Sequence, residues 1–222
     1  MCIRDRFGVH AERDGYRRFR VAGSQRYRAV REYDIEPDAS SAHYFLAAAA
    51  ITGGRVGVEG IGTASLQGDA RFVDVLERMG ARVERAPTAL AVTGDRFGGI
   101  DVDMSDISDT ALTLAVIGTL ASEPVRIRNV AHLRLQESER IAAVTTELRK
   151  LGAQVTEHAD GWEVRPSQLH GGEVDTYDDH RIAMAFALLG LCVPGIVIRD
   201  PGCVRKTFPT YFAELERLRG EG

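Results

Sequence analysis

Apolar and polar positions recur along this chain in a fixed order. Arg55-Val56-Gly57-Val58, Ile100-Asp101-Val102-Asp103 and Val125-Arg126-Ile127 alternate with a period of two, which predicts half-buried strands. Asp69 to Met79 places Phe72, Val75, Leu76 and Met79 on one face at helical spacing. Further helices are predicted over Asp38 to Ala50, Asp106 to Leu120, Ser138 to Leu151, Asp178 to Leu191 and Pro209 to Leu218. Asp38-Ala39-Ser40-Ser41 reads as the cap of the first and Gly53-Gly54 as its stop. Val174 and Ile196-Val197-Ile198 supply the last strands.

Three stretches share a signature. Phe7-Gly8-Val9, Met79-Gly80-Ala81-Arg82-Val83 and Leu151-Gly152-Ala153-Gln154-Val155 each lead through a turn to a second apolar run: Phe19-Arg20-Val21, Leu90-Ala91-Val92 and Trp162-Glu163-Val164. Each reads as a helix-ending glycine followed by a hairpin. Gly80 and Gly152 lie 72 residues apart. The repeat is strand–helix–strand–helix–hairpin, about 65 to 72 residues long. The first hairpin lacks its helix, so the chain is expected to begin inside a repeat, as the C-terminal part of a longer protein. A hairpin without a helix would leave a sheet face uncovered; the competing reading is a self-contained domain with an extra hairpin. Residues 1–6, charged and aperiodic, are expected to lie outside the fold as a spurious start. Residues 24–36 read as a crossover ended by Pro37. The expected division is 7–37 as the remnant of a first domain and 38–222 as a second.

Composition narrows the classes. With 222 residues, 44% hydrophobic and 27% charged, the chain reads as a globular protein with room for one large or two small domains. A net charge of −4 gives no basic footprint for nucleic acid. No apolar run reaches the ~18–20 residues that span a bilayer; the longest, Ala183 to Val193, reads as a buried helix. The given start does not read as a secretory signal, and none is expected. Cys2, Cys192 and Cys203 form no disulfide or zinc spacing and fit a reducing cytoplasm.

The chemistry concentrates at Thr176-Tyr177-Asp178-Asp179-His180-Arg181, which opens the apolar helix ending at Leu191. Aspartates are ordinary at a helix entrance, but an arginine there opposes the macrodipole. It calls for a compensating anion, either a neighbouring carboxylate or a bound phosphate or carboxylate. No metal-ligand spacing and no Gly-rich nucleotide loop occur, so no cofactor is expected.

Four motifs in order resemble the C-terminal half of the 5-enolpyruvylshikimate-3-phosphate synthases. They are Asp38-Ala-Ser-Ser-Ala-His-Tyr-Phe; Gln67-Gly-Asp-Ala-Arg-Phe with Leu76-Glu-Arg-Met-Gly-Ala; Arg134-Leu-Gln-Glu-Ser-Glu-Arg with Thr146-Glu-Leu-Arg-Lys-Leu-Gly-Ala; and Thr176-Tyr-Asp-Asp-His-Arg with Asp200-Pro-Gly-Cys-Val-Arg-Lys-Thr-Phe-Pro. The resemblance runs from about Phe7 to Leu218. It implies an inside-out α/β fold of βαβαββ repeats, helices inside and sheets outside, with one strand of the last domain supplied from the family's N-terminus. It implies transfer of an enolpyruvyl group from phosphoenolpyruvate to shikimate 3-phosphate, without a cofactor, nucleic-acid partner or membrane, in a protein that is a cytoplasmic monomer when full length.

The motifs also assign residues. Arg140 and Arg181 match arginines that grip phosphoenolpyruvate, for which the planar guanidinium suits. Lys206, rather than Arg205, matches a lysine on the departing phosphate. Asp109 matches an aspartate at the shikimate hydroxyl, placed to accept its proton. Glu137 matches a glutamate beside the methylene carbon, a role that calls for a raised pKa. His180 matches a histidine near the phosphoenolpyruvate carboxylate, and Asp179 is expected to orient Arg181 or His180. Taken without the motifs, Arg140 reads as a surface pair with Glu137, Asp109 as a first-turn residue, Glu137 as a helix-entry residue and His180 as structural. Ser40 and Ser41 read as caps and Cys203 as structural. Gln136 and His132 depart from the lysine and asparagine of many relatives, and Gln136 loses a charge.

The implied reaction is addition followed by elimination, driven by positioning and charge stabilisation. Further lysine, serine, arginine and glutamine groups come from the family's other domain, so this chain alone is expected to be inactive. The rival readings are a UDP-N-acetylglucosamine enolpyruvyl transferase relative and a non-catalytic anion-binding module.

Overall fold

The computed structural model describes residues 3–15 and 17–220. Met1 and Cys2 of the expected extra start, and Glu221 and Gly222 of the expected last domain, lie outside the described residues. The chain divides into two compact units, Met1–Glu36 and Pro37–Gly222.

In the first unit a helical turn, α1 (Ile3–Arg6), precedes the antiparallel hairpin β1 (Ala11–Asp14) and β2 (Arg18–Val21). This helical turn falls in the segment expected to be a spurious start outside the fold. Gly8 follows in the left-handed region at φ 81°, where a glycine ends a helix without a Cβ penalty. Phe19 and Val21 of β2 are exposed. Residues 25–36 form neither helix nor strand.

The second unit opens with α2 (Ala39–Thr52) and β3 (Arg55–Glu59). A 3-10 turn, Gly68–Arg71, then leads into α3 (Phe72–Arg78) and the hairpin β4 (Arg82–Ala86) and β5 (Ala89–Thr93). The next repeat is β6 (Ile100–Asp103), α4 (Ala111–Ile117), β7 (Val125–Arg128), α5 (Arg140–Lys150), β8 (Gln154–His158) and β9 (Gly161–Arg165). The last is β10 (Gly172–Val174), α6 (His180–Ala187), β11 (Ile196–Ile198) and α7 (Tyr211–Gly220). Gly80 at φ 110° and Gly152 at φ 90° take the same left-handed role as Gly8.

Sheet order shows which copies are whole. The second repeat forms β6-β7-β9-β8, with β6 and β7 parallel and the rest antiparallel. The first forms only β3-β5-β4 and the third only the parallel pair β10-β11. Alternation fixes the faces. Ile100 pairs with Val125 and Val102 with Ile127 on the buried side, while Arg128 meets Asp101 at 2.6 Å on the exposed side. A one-residue slip would bury those charges.

Two helices lie within the core. Every residue of α4 is buried, and α2 is apolar almost all round, as a helix enclosed by others must be. Trp162 of β9 is fully buried and donates Nε1–H to the carbonyl of Ile141, fastening the sheet to α5. The predicted helix Asp106 to Leu120 is broken. Ile107 has φ −136° and ψ 40°, so Ser105–Thr110 is a kinked 3-10 stretch and the α-helix starts at Ala111. Among the described residues no helix is long and apolar enough to cross a membrane.

Candidate active site

Two helix entrances meet at one aspartate. Arg140 is the first residue of α5 and Arg181 the second of α6. Both therefore sit where backbone N–H groups and the helix dipole favour an anion. Asp179 supplies it. Its carboxylate accepts from Nε of Arg140 at 2.8 Å, from Ser138 Oγ at 3.0 Å and from the backbone N–H of Arg181 at 2.9 Å, capping α6. Arg140 and Asp179 are 2% and 0% exposed. Burial pushes the Asp179 carboxyl up, but Arg140 outweighs it and holds the pKa below its ordinary value. Asp179 thus orients Arg140 through its side chain, a partner that the motif reading did not name.

The other groups attach to this pair. Arg140 donates to Glu137 at 2.7 Å and to the Gln136 amide oxygen, and it lies 3.9 Å from Asp109. Arg181 donates to Asp109 at 2.8 Å. Lys206, closing the 3-10 turn Pro201–Lys206, bonds Glu137 from the opposite side. Arg140, Arg181, Lys206, Asp109, Glu137 and His180 are thus brought together through shared partners. Asp109, Gln136, Glu137, Arg140 and Arg181 line a cavity of about 500 Å³. His132 is exposed in the 3-10 turn Ala131–Leu135. Cys203 is half-buried with a free thiol.

Three positive side chains face three carboxylates here, so the local charge cancels before any ligand enters. Burial alone would raise the Glu137 pKa, but Lys206, His180 and Arg140 lower it below the ordinary value. This corrects the expectation of a raised value: the resting carboxyl is ionised because cations surround it. His180 is buried, which lowers its pKa against the opposing pull of Glu137. Its Nδ1 lies 3.3 Å from Glu137 Oε2 yet makes no aligned hydrogen bond.

Glu137, Asp179 and His180 bring potential metal-ligating atoms within 4.8 Å of one another. Sequence spacing gave no sign of the trio, because Glu137 lies on a different repeat. Both carboxylates already neutralise Arg140 or Lys206, so a cation would have to displace those side chains.

Behind Arg181 lies a layer that sequence reasoning missed. His43 and Tyr44 are buried in α2. A carbonyl can only accept, so His43 Nδ1–H donates to Ser40 O at 2.6 Å, and Nε2 accepts from the Thr113 hydroxyl at 2.7 Å. Burial, aided by Arg181, pushes the His43 pKa down to about 3. Burial raises the Tyr44 hydroxyl while Arg181 draws it back; that hydroxyl makes no aligned hydrogen bond. Ser40 was expected to cap α2, but Asp38 does so, accepting from the Ser40 N–H at 3.0 Å. The Ser40 hydroxyl instead bonds Asp69. No spacing rule marks these residues, which read as part of an alanine-rich helix. Asp109, expected in a first helical turn, precedes α4 on the kinked stretch, which lets its carboxylate reach Arg181.

A family model described as EPSP synthase (3-phosphoshikimate 1-carboxyvinyltransferase) matches residues 3–215. The 3-phosphoshikimate 1-carboxyvinyltransferase of Nostoc punctiforme is 52% identical over 213 residues, covering 96% of this chain and 50% of that protein. The chloroplastic enzyme of Arabidopsis thaliana is 50% identical over 226 residues, covering 97% of this chain and 44% of that protein. The chain spans about half the length of the curated relatives it matches. Among solved structures, EPSP synthase from Acinetobacter baumannii superposes with a TM-score of 0.80 at 26% identity, over 96% of this chain and 52% of that one. The enolpyruvyl transferase NikO from Streptomyces tendae shares the fold, with a TM-score of 0.71 at 23% identity over 96% of this chain and 50% of that one.

Proposed function

The chain belongs to the EPSP synthase family, and on that premise we propose that it forms the C-terminal half of the site that moves an enolpyruvyl group from phosphoenolpyruvate to shikimate 3-phosphate. The observation that supports this most is the convergence of Arg140 and Arg181 on one cavity edged by Asp109 and Glu137, with Lys206 bonded to that Glu137. Two phosphates and a carboxylate need several fixed cations and helix N-termini aimed at one place.

The roles follow from position. Asp109 accepts the proton of the shikimate 5-hydroxyl as its oxygen bonds to C2 of phosphoenolpyruvate. Glu137 delivers a proton to C3, giving a tetrahedral intermediate. In the second step Glu137, now a carboxylate, takes a proton back from C3, the bond from C2 to the phosphate oxygen breaks, phosphate leaves with that electron pair and the C2–C3 double bond re-forms. Lys206 stabilises the departing phosphate, while Arg140 and Arg181 hold the anionic substrate bidentately. His180, beside Glu137, is assigned to the substrate carboxylate.

Glu137 rests ionised, so it must gain a proton before it can act. The substrate provides the means. An incoming anion takes Lys206 and Arg140 away from Glu137, and the pKa that they depress rises. None of these three proton transfers requires a metal or organic cofactor.

The test joins this chain to an upstream half taken from a relative and follows phosphate release. Release is expected only with phosphoenolpyruvate and shikimate 3-phosphate together. Release with UDP-N-acetylglucosamine in place of shikimate 3-phosphate would reject the substrate assignment. No steady release is expected from this chain alone.

A further inference from the structure

Two turns beyond Arg140, helix α5 makes a second attachment to the entrance of α6. Glu147 is 1% exposed, rare for a carboxylate unless it is paired. Its Oε1 accepts from the Tyr177 hydroxyl at 2.8 Å. Its Oε2 accepts from the backbone N–H of Asp175 at 3.0 Å and from Lys150 Nζ at 2.7 Å. Lys150 also reaches Asp175 at 2.9 Å. Around this one buried carboxylate, a half-exposed network is therefore directed mostly at the loop before α6.

That loop is strained. Tyr177 and Asp178 stand side by side in the left-handed region, with φ 56° and 55°. Aspartate tolerates this conformation, but it is unfavourable for a side chain as bulky as tyrosine. Glycine would adopt it freely; tyrosine brings what glycine lacks, a hydroxyl that ties the turn to α5. The ring is 45% exposed, so burial does not hold it in place. The turn closes when the Asp179 N–H donates to Thr176 O at 2.8 Å. The next residues are Asp179, which pairs with Arg140, then His180 beside Glu137 and Arg181 on Asp109. Helix α5 thus grips this entrance from two points about 10 Å apart along its axis.

We propose that Glu147 and Tyr177 are positioning residues: their hydrogen bond holds residues 177–178 in the left-handed turn and so sets His180 and Arg181 against the cavity. Only the identity of the bound anion rests on the enolpyruvyl-transfer reading.

The test is Tyr177→Phe in this chain, which removes one hydroxyl from a half-exposed ring. Glu147→Gln, which keeps an acceptor oxygen, is the conservative companion. Tyr177→Phe is expected to shift the amide resonances of Asp179, His180 and Arg181 and the Nε signal of Arg181, and Glu147→Gln to shift them less. The thermal midpoint of Tyr177→Phe is expected to stay within about 4 °C of the parent. Shifts confined to Glu147 and residues 175–178 overturn the proposal. A lowered midpoint without shifts at 179–181 marks a purely structural bond and overturns it as well. With the chain joined to an upstream half, Tyr177→Phe is expected to raise the KM for phosphoenolpyruvate about three- to tenfold while kcat stays within about twofold. An unchanged KM counts against the proposal. If the joined parent does not turn over, the transferase reading fails, and the resonance shifts still decide what Tyr177 and Glu147 do.

Discussion

At the scale of single residues the site is held by buried charge that would be unfavourable unpaired. Asp179 offers its carboxylate to Arg140, Ser138 and the α6 backbone, all of them donors. Asp179→Asn replaces one acceptor oxygen with an NH2 group facing those donors and takes from Arg140 its buried carboxylate partner, leaving Glu137 as the close one. Urea unfolding is expected to show a loss of about 3 kcal/mol. His43 gives a pH signature. Burial pushes its pKa down to about 3 in the folded chain, below the ordinary value of 6.5. Between these values the unfolded chain binds a proton that the folded chain does not. The His43 contribution to stability is therefore constant above about pH 6.5 and falls as pH drops toward 3, by up to about 1.4 kcal/mol per unit. Comparing urea midpoints of the parent and His43→Gln across that range checks it: the variant is expected to lose that part of the slope. Glu137 gives a third prediction. An anion that draws off Lys206 and Arg140 raises its pKa, so phosphoenolpyruvate binding to the joined protein is expected to take up a proton. Calorimetry in buffers of different ionisation heat would show zero uptake if Glu137 keeps its cation partners.

At the scale of elements, local chemistry was readable wherever a segment's own residues decided its shape. Strand β6 begins and ends at the predicted residues, because Ile100 and Val102 face the core and Asp101 and Asp103 face water. Helix α2 stops at Gly53, which is left-handed at φ 76° with no atom within 4 Å of an added Cβ. Gly53→Ala is therefore a test of conformation without steric clash, expected to lower stability by about 1 kcal/mol in thermal or urea unfolding. The stretch 105–110 was less legible. Asp106, Ser108 and Asp109 look like an ordinary helix entrance, and nothing in their spacing shows that Ile107 turns into the core and kinks the chain. The arginine at the entrance of α6 was legible as an anomaly against the dipole, whereas Arg140 at the entrance of α5 read from its spacing as a surface pair with Glu137, and the aspartate that joins the two entrances was not legible.

At the scale of the whole molecule the three repeats matter because each contributes a different part of one site. The second repeat supplies Asp109, Glu137 and Arg140, and the third supplies Asp179, His180, Arg181 and Lys206. The first contributes the buried support of His43 and Tyr44. The amino-acid sequence by itself determined the repeat, its glycine punctuation, the alternation that turns each strand, and which cationic residues stand at helix entrances. These depend on neighbours a few residues away, where the chain's own stereochemistry limits the outcome. Only the tertiary structure decided that Asp179 serves Arg140 across 39 residues, that Glu137 rests ionised between two cations, and that Glu147 restrains a strained turn. Those facts depend on distances through space and on burial, which are set by how the helices pack and leave no periodic trace along the chain.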